Sequence, residues 1–327
     1  SVEVRMLYGR YVFSCRFLDE AELPEYKGST FRGVFGHALK RTVCALKRQG
    51  CEGCLLHPKC IYVFLFETPF PVEANGKRRL SSPPHPYVIE PPETERTRFQ
   101  PGDSFEFALL LFGMANEYLP YFIYAFEQIG GLGIGKRVNG RAARFKLENV
   151  SSGGEPVYSS NDATLRAGSF TEELTEETLR EGVPADEIEL RLVTPLRVKF
   201  GNSLRAELPF HVLVRAMLRR TSSLFEYYGA GEPSLDYRGL VDRAKKVAIE
   251  ESAVEWFDWK RYSNRQDQSM LMGGITGSIS YAGNLSEFIP FIRFCEKVHI
   301  GKQTTFGLGK INLVSLSIGE EGRQEGK

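Results

Sequence analysis

The order of apolar and polar positions along the chain predicts a mixed α+β protein. The first apolar stretch predicts a strand over 2–17, followed by a helix over 29–48 that Ser29 can cap. A strand near 61–67, a proline-rich loop over 69–102, a strand over 104–113 and a helix over 116–129 come next, and a glycine-rich loop then leads to a strand over 143–150. The later part of the chain predicts a strand over 187–200, helices over 208–228 and 236–249, and strands over 254–263 and 269–282. A helix over 285–298, a second glycine-rich loop and a last strand complete it.

Two of these segments end alike. YFIYAFEQIGGLGIGKRVNGRAARFKL (121–147) and PFIRFCEKVHIGKQTTFGLGKINLV (290–314) are each an aromatic-rich helix, a Gly/Lys loop and a closing strand. This is an internal repeat, and with strand, helix, paired strands, helix and strand in each half the repeated unit fits a split βαβ. The expected fold is two tandem ferredoxin-like (RRM-like, βαββαβ) domains with glycine-rich loops, over 1–168 and 187–318. An acidic linker is expected over 169–186, and a disordered tail over 319–327.

Composition sharpens the picture in one place. Apolar residues at 42% and charged residues at 25% are ordinary for a globular chain. The net charge of +1 is an average, because residues 170–190 carry eight acidic residues and one basic. The rest of the chain has 41 basic against 33 acidic residues, and reads as basic. The longest apolar run, IYVFLF at 61–66, is too short to span a membrane, and the N-terminus has no signal-peptide layout, so the expected location is the cytoplasm. Ser1 at the start suggests a trimmed chain.

The glycine-rich loops suggest a phosphate cradle, but for which phosphate? A nucleotide loop follows a strand and opens a helix, whereas both loops here close one, and neither holds GxGxxG or GxxxxGK[ST]. Taken alone each is a C-cap and turn. The side chains add chemistry: Lys136, Arg137, Arg141, Arg144 and Lys146 in the first loop, and Lys302, Gln303, Thr304 and Thr305 in the second. Cations and amides beside glycines suit an extended polyanion, RNA or single-stranded nucleic acid. WFDWKRYSNRQ (256–266) sets Lys260, Arg261 and Arg265 among aromatics that either stack bases or fill a core. Arg215, Arg219 and Arg220 form a further basic face on the helix from 208, or only a solvated one.

Five histidines are available as proton carriers near neutral pH. On the helix over 29–48, Phe31, Val34, Phe35, Ala38, Leu39 and Leu46 gather on one side, and His37 falls opposite with Gly33, Lys40 and Cys44. His37 is therefore not a core residue. His211 at a helix start reads as structural, His85 lies in a PPHP loop, and His299 ends a helix. Four of six cysteines, Cys44, Cys51, Cys54 and Cys60, fall within 17 residues as C-x6-C-x2-C-x5-C. That spacing suits a structural zinc site with four sulfur ligands, His57 being a replacement ligand; an iron–sulfur cluster and four unmetallated thiols are the alternatives. Cys15 and Cys295 read as buried apolar residues.

These residues together resemble a known family. HIGKQTTFGLGKI, preceded by WKRYSNRQDQSMLMGGITGSISYAGNL, is similar to the C-terminal half of the CRISPR-associated endoribonucleases that cut precursor CRISPR RNA, the Cas six group of the RAMP superfamily. LPEYKGSTFRGVFGHALKRTVC, PPHPYVIEPP and QPGDSFEFALLLFG followed by GGLGIGKR are similar to its N-terminal half. The resemblance implies CRISPR repeat RNA as partner, cut without a catalytic metal by attack of a ribose 2′-hydroxyl on the adjacent phosphate. It also implies a catalytic role for His37, with Tyr26 as proton carrier or orienting group and Lys40 or Arg41 as electrostatic support. The second reading it allows is a non-catalytic RAMP subunit that grips CRISPR RNA inside an effector complex; a homodimer is compatible with either.

Overall fold

Alternate side chains of the first strand disappear into the interior. In the computed structural model, which describes residues 4–47, 50–68, 83–199, 207–263 and 268–319, and only the backbone at 260–263 and 268–272, this strand is β1 (Arg5–Phe17). Tyr11, Phe13, Cys15 and Phe17 are buried on one face, as the two-residue period of a strand requires. The chain continues through α1 (Gly28–Val43), β2 (Tyr87–Glu90), β3 (Ser104–Phe112), α2 (Leu119–Leu132) and β4 (Phe145–Ser152). These strands pair antiparallel in the order β4-β1-β3-β2, which is the ferredoxin-like arrangement.

The pattern recurs later in the chain. β5 (Glu187–Leu196), α3 (Phe210–Tyr228), α4 (Tyr237–Ala244), β6 (Ala248–Ser263), β7 (Gln268–Ala282), α5 (Ile289–Val298) and β8 (Ile311–Ser317) follow one another. Their sheet runs β8-β5-β7-β6, again antiparallel, so the expected pair of ferredoxin-like folds is present. Met6–Glu173 makes one compact unit, and the chain from Leu174 onward with the first five residues makes the other.

Aromatic packing holds each unit. In the first, Phe35 of α1 lies flat on Phe122 of α2, with ring centroids 4.8 Å apart and planes 6° from parallel. Phe31 meets Phe107 of β3 at 5.1 Å, and Phe13 of β1 stacks on the same ring at 4.8 Å. Burying one such side chain is worth roughly 1.5–3 kcal/mol. In the second unit Phe210 packs on Tyr281 and Phe288 at 4.8 and 5.1 Å, and the Tyr281 hydroxyl donates to the Leu208 carbonyl at 2.6 Å. Cys15 and Cys295 are buried, as expected.

Several local expectations are corrected. The apolar run at 61–67 is not a strand: Val63–Glu67 is a π-helical turn, and the second strand of the unit is β2, inside the expected proline-rich loop. An unbroken apolar run has no period to separate strand from helix. Ser29 is not the cap of α1, which starts a residue earlier behind Lys27. The Lys27 side chain is buried, and its ammonium donates to the carbonyls of Glu25 at 3.0 Å and Thr94 at 2.6 Å, fixing how the chain enters the helix. α1 also ends at Val43, with Lys40 and Arg41 in the last turn beside its exposed carbonyls. The acidic segment over 169–186 contains a strand at Thr171–Thr175 and a 3-10 turn at Glu177–Arg180, because Leu174 and Leu179 are buried among its acids. In the expected tail, the Gly319 amide donates to Asp186 at 2.9 Å, and the rest lies outside the described residues. No helix among the described residues is long and apolar enough to cross a membrane.

One glycine of α1 carries a packing constraint. A Cβ at Gly36 would run into the Phe66 ring, which packs there from the π-helical turn. Gly36→Ala is expected to destabilise the protein by roughly 1–3 kcal/mol through overpacking. Chemical unfolding measures this, and an unchanged midpoint would mean that Phe66 is not seated against α1.

Candidate active site and nucleic-acid surfaces

With Phe31 and Phe35 turned into the core, α1 presents His37 to solvent. His37 lines an open cavity of ≈ 400 Å³ with Lys40, Arg41 and Lys47 from its own side and Tyr124, Gln128 and Leu132 from α2. The cavity wall has an imidazole and three cations, and among the described residues no carboxylate lines it. Such a wall can exchange a proton and stabilise negative charge on a phosphate. Tyr124 is half exposed and offers an aromatic face. Tyr26 is half buried, burial raises its hydroxyl pKa well above the usual range, and it is not among the cavity's lining residues. Lys40 is half buried, with its Nζ 3.6 Å from Cys51 Sγ and 5.2 Å above the Tyr62 ring.

The first glycine-rich loop divides its cations. Lys136 pairs with Glu22 at 3.0 Å, and Arg144 pairs with Asp19 at 2.8 Å. Hydrogen bonds from Arg144 hold the Asp19 carboxyl down to about 2. Arg137, Arg141 and Lys146 are exposed.

In the second loop the cations gather. Burial first, and then the charges of Lys199, Arg197 and Arg219, push the Lys302 ammonium pKa below its ordinary value. Lys302 and Arg219 are exposed. The Lys302 amide donates to the Arg197 carbonyl at 2.9 Å, which seats the loop on the end of β5. Gln303 takes a left-handed conformation (φ 60°), and its buried side-chain oxygen has no hydrogen-bond partner among the described residues. Thr304 and Thr305, expected as contacts, are buried in the 3-10 turn that follows. Gly309 is required by the loop itself: its φ is 74°, and a Cβ there would meet the Ile300 carbonyl.

Arg220 corrects the expected basic face. It is buried, and its guanidinium donates to the Val298 carbonyl at 2.8 and 3.2 Å and to the His299 carbonyl at 3.2 Å, capping α5. Burial lowers its pKa to about 10. His299 is buried too, its Nδ1 3.0 Å from the Leu308 carbonyl, which excludes it as a solvent-facing proton carrier. His85 shares a 2.7 Å hydrogen bond with Thr68, and burial followed by Arg215 and Lys245 lowers the pKa of His211. Trp256 and Trp259 are both half buried, and Trp259 stacks on Phe257 at 6.0 Å. Arg261 lies on β6, where the backbone alone is described, and Arg265 lies outside the described residues.

The chain was compared with known proteins. Residues 6–170 match the family model AF_1859_N, an N-terminal domain, and residues 190–311 match the model of the CRISPR-associated endoribonuclease Cas6. Residues 190–311 therefore form a domain of the Cas6 family. An uncharacterized protein of Archaeoglobus fulgidus is 26% identical over 302 residues, covering 90% of this chain and 93% of its own. Among solved structures, a Thermus thermophilus Cas6 matches with a TM-score of 0.54 at 12% identity, covering 94% of this chain and 99% of that one. A Cas6 product complex gives 0.54 at 14%, with the same coverage. A partial complex of Cas6, RT, Cas1 and Cas2 gives 0.55 at 15%, covering 97% of this chain and 49% of that one. At these identities the likeness to the Cas6 structures is one of fold.

The neighbouring arginines of α3 separate support from surface. Arg220→Ala is expected to leave buried carbonyls unsatisfied, at roughly 1–3 kcal/mol each, whereas Arg219→Ala is expected to stay within about 0.5 kcal/mol of the parent. Thermal unfolding of the two variants side by side measures the contrast; equal midpoints would overturn it.

Proposed function

We propose that this chain is an endoribonuclease that cleaves precursor CRISPR RNA within its repeats. The carrying observation is the cavity on α1, where His37 shares a wall with the cations of Lys40, Arg41 and Lys47. His37 takes the proton of a ribose 2′-hydroxyl as that oxygen attacks the adjacent phosphate. Lys40 and Arg41 balance the charge that grows on the phosphorus oxygens, and Tyr124 stacks a flanking base. The bond from phosphorus to the 5′ oxygen breaks, the leaving oxygen takes its proton from the protonated His37 or from water, and the products are a cyclic phosphate and a free 5′-hydroxyl. In this reading the cations and the imidazole carry the charge and the proton, and no catalytic metal is needed. In the C-terminal unit, Lys199, Arg197 and Arg219 stand close enough to Lys302 for their charges to lower its pKa. They hold the RNA backbone, with Gln303 as a hydrogen-bonding neighbour.

Cleavage of a labelled repeat RNA in excess chelator tests the reading. Persistent cleavage is expected, and His37→Ala is expected to lower the rate by roughly a hundred- to ten-thousand-fold with binding retained. Binding without cleavage by the parent protein would favour the non-catalytic subunit, and full activity in the variant would remove His37 from the mechanism. For the RNA grip, Lys302→Ala is expected to weaken binding and to flatten the log–log salt dependence by roughly 0.7 for a single strand. An unchanged slope would take Lys302 off the phosphates.

A further inference from the structure

Two cavities share a wall at the C-terminal end of α1. Lys40 and Cys44 line both. The smaller one measures ≈ 20 Å³, and all four clustered cysteines, Cys44, Cys51, Cys54 and Cys60, line it. That volume admits one particle of about the size of a water molecule. RNA cleavage as described above makes no use of these thiols.

The backbone explains why they converge. Cys44 leaves α1 in an extended conformation, its amide donating to the Lys40 carbonyl at 2.9 Å. Beyond it the chain winds in three-residue steps. The Cys54 amide donates to the Cys51 carbonyl at 3.2 Å, the His57 amide to Cys54 at 3.0 Å, and the Cys60 amide to His57 at 3.3 Å. These turns fold the segment back so that Cys51, Cys54 and Cys60 line the same small cavity as Cys44. His57, within the same segment, is not among the lining residues.

The six cysteines are free thiols, and among the described residues no group of three or more His, Cys, Asp or Glu side chains is placed, as the side chains stand, to hold a metal ion. The four clustered cysteines nonetheless line one common space. Thiols have no mutual attraction that would draw them within about 2.3 Å of one centre; the ion supplies it, and drives the local folding with it.

We propose that Cys44, Cys51, Cys54 and Cys60 are the four ligands of a structural zinc ion that fastens the turns over 51–60 to the end of α1. Four thiolates close the coordination sphere and leave no position for substrate, so the ion is structural. They also overbalance its charge. Lys40, whose Nζ lies 3.6 Å from Cys51 Sγ, is the cation placed to donate to a bound thiolate. The same ammonium stands in the wall beside His37, so the ion would fix its position there.

The test uses the full chain, purified under reducing conditions without chelator, and reads metal content and absorption. These readouts do not depend on RNA cleavage. About one equivalent of zinc per chain is expected, and replacement by cobalt is expected to give the intense thiolate charge-transfer bands of a tetrahedral sulfur site. The Cys51→Ser/Cys54→Ser variant should lose those bands, His57→Ala should keep them, and stripping the zinc should lower the thermal midpoint. Less than about half an equivalent of zinc with no cobalt bands in the parent protein would overturn the proposal. An iron–sulfur chromophore, or bands that change in His57→Ala, would overturn the four-cysteine zinc assignment. Should the double variant fail to fold, the parent protein and His57→Ala still decide.

Discussion

The stacking of Phe35 on Phe122 is the contact on which the candidate active site depends. A helix turns about 100° per residue, so once residue 35 faces the core, residue 37 is roughly 200° round and faces out. Phe31, one turn earlier, fixes the same face against Phe107 of the sheet. Lys40 and Cys44 then follow at the spacing of successive turns and bring their side chains to the cavities at the helix end. The position of the imidazole is thus set by apolar contacts on the far side of its helix. Gly36 serves the same geometry by admitting Phe66 against the backbone.

Charge is used differently in the two glycine-rich loops. In the first, Lys136 and Arg144 are bound to Glu22 and Asp19, so two of the five cations help hold their own unit together. In the second, the loop brings Lys302 near Arg197, Lys199 and Arg219, and their mutual repulsion is one of the causes of the lowered Lys302 pKa. Like charges held close raise the energy of the protein that holds them, and a polyanion is a ligand that relieves it. A local conflict of this kind is expected at a functional surface.

Much of this architecture was legible in the sequence because it is periodic or repeated. The matching ends of the two units gave the twofold ferredoxin-like plan, and the helical wheel of α1 put His37 outside the core. What escaped has physical reasons. β2 is four buried residues within a proline-rich stretch, too short to show alternation. Arg219 and Arg220 look alike in the sequence, yet the carbonyls that claim Arg220 lie 78 and 79 residues further on. Arg197 and Lys199 belong to no motif and become relevant only when the loop lands on the end of β5, and Tyr124 joins the cavity only because α2 packs beside α1. Tyr26 sits in a segment that resembles the family, but the structure does not include it among the cavity's lining residues.

The buried cap on α5 has a consequence for how the second loop meets a ligand. Arg220 ties the end of the helix to α3, and His299 hydrogen-bonds across to Leu308, so both ends of the loop are anchored to the interior. A glycine-rich segment without such anchors would sample many conformations and would have to surrender that freedom on binding. Here most of that entropy is lost when the protein folds. A ligand therefore meets a surface already shaped, and more of its contact energy remains available as affinity.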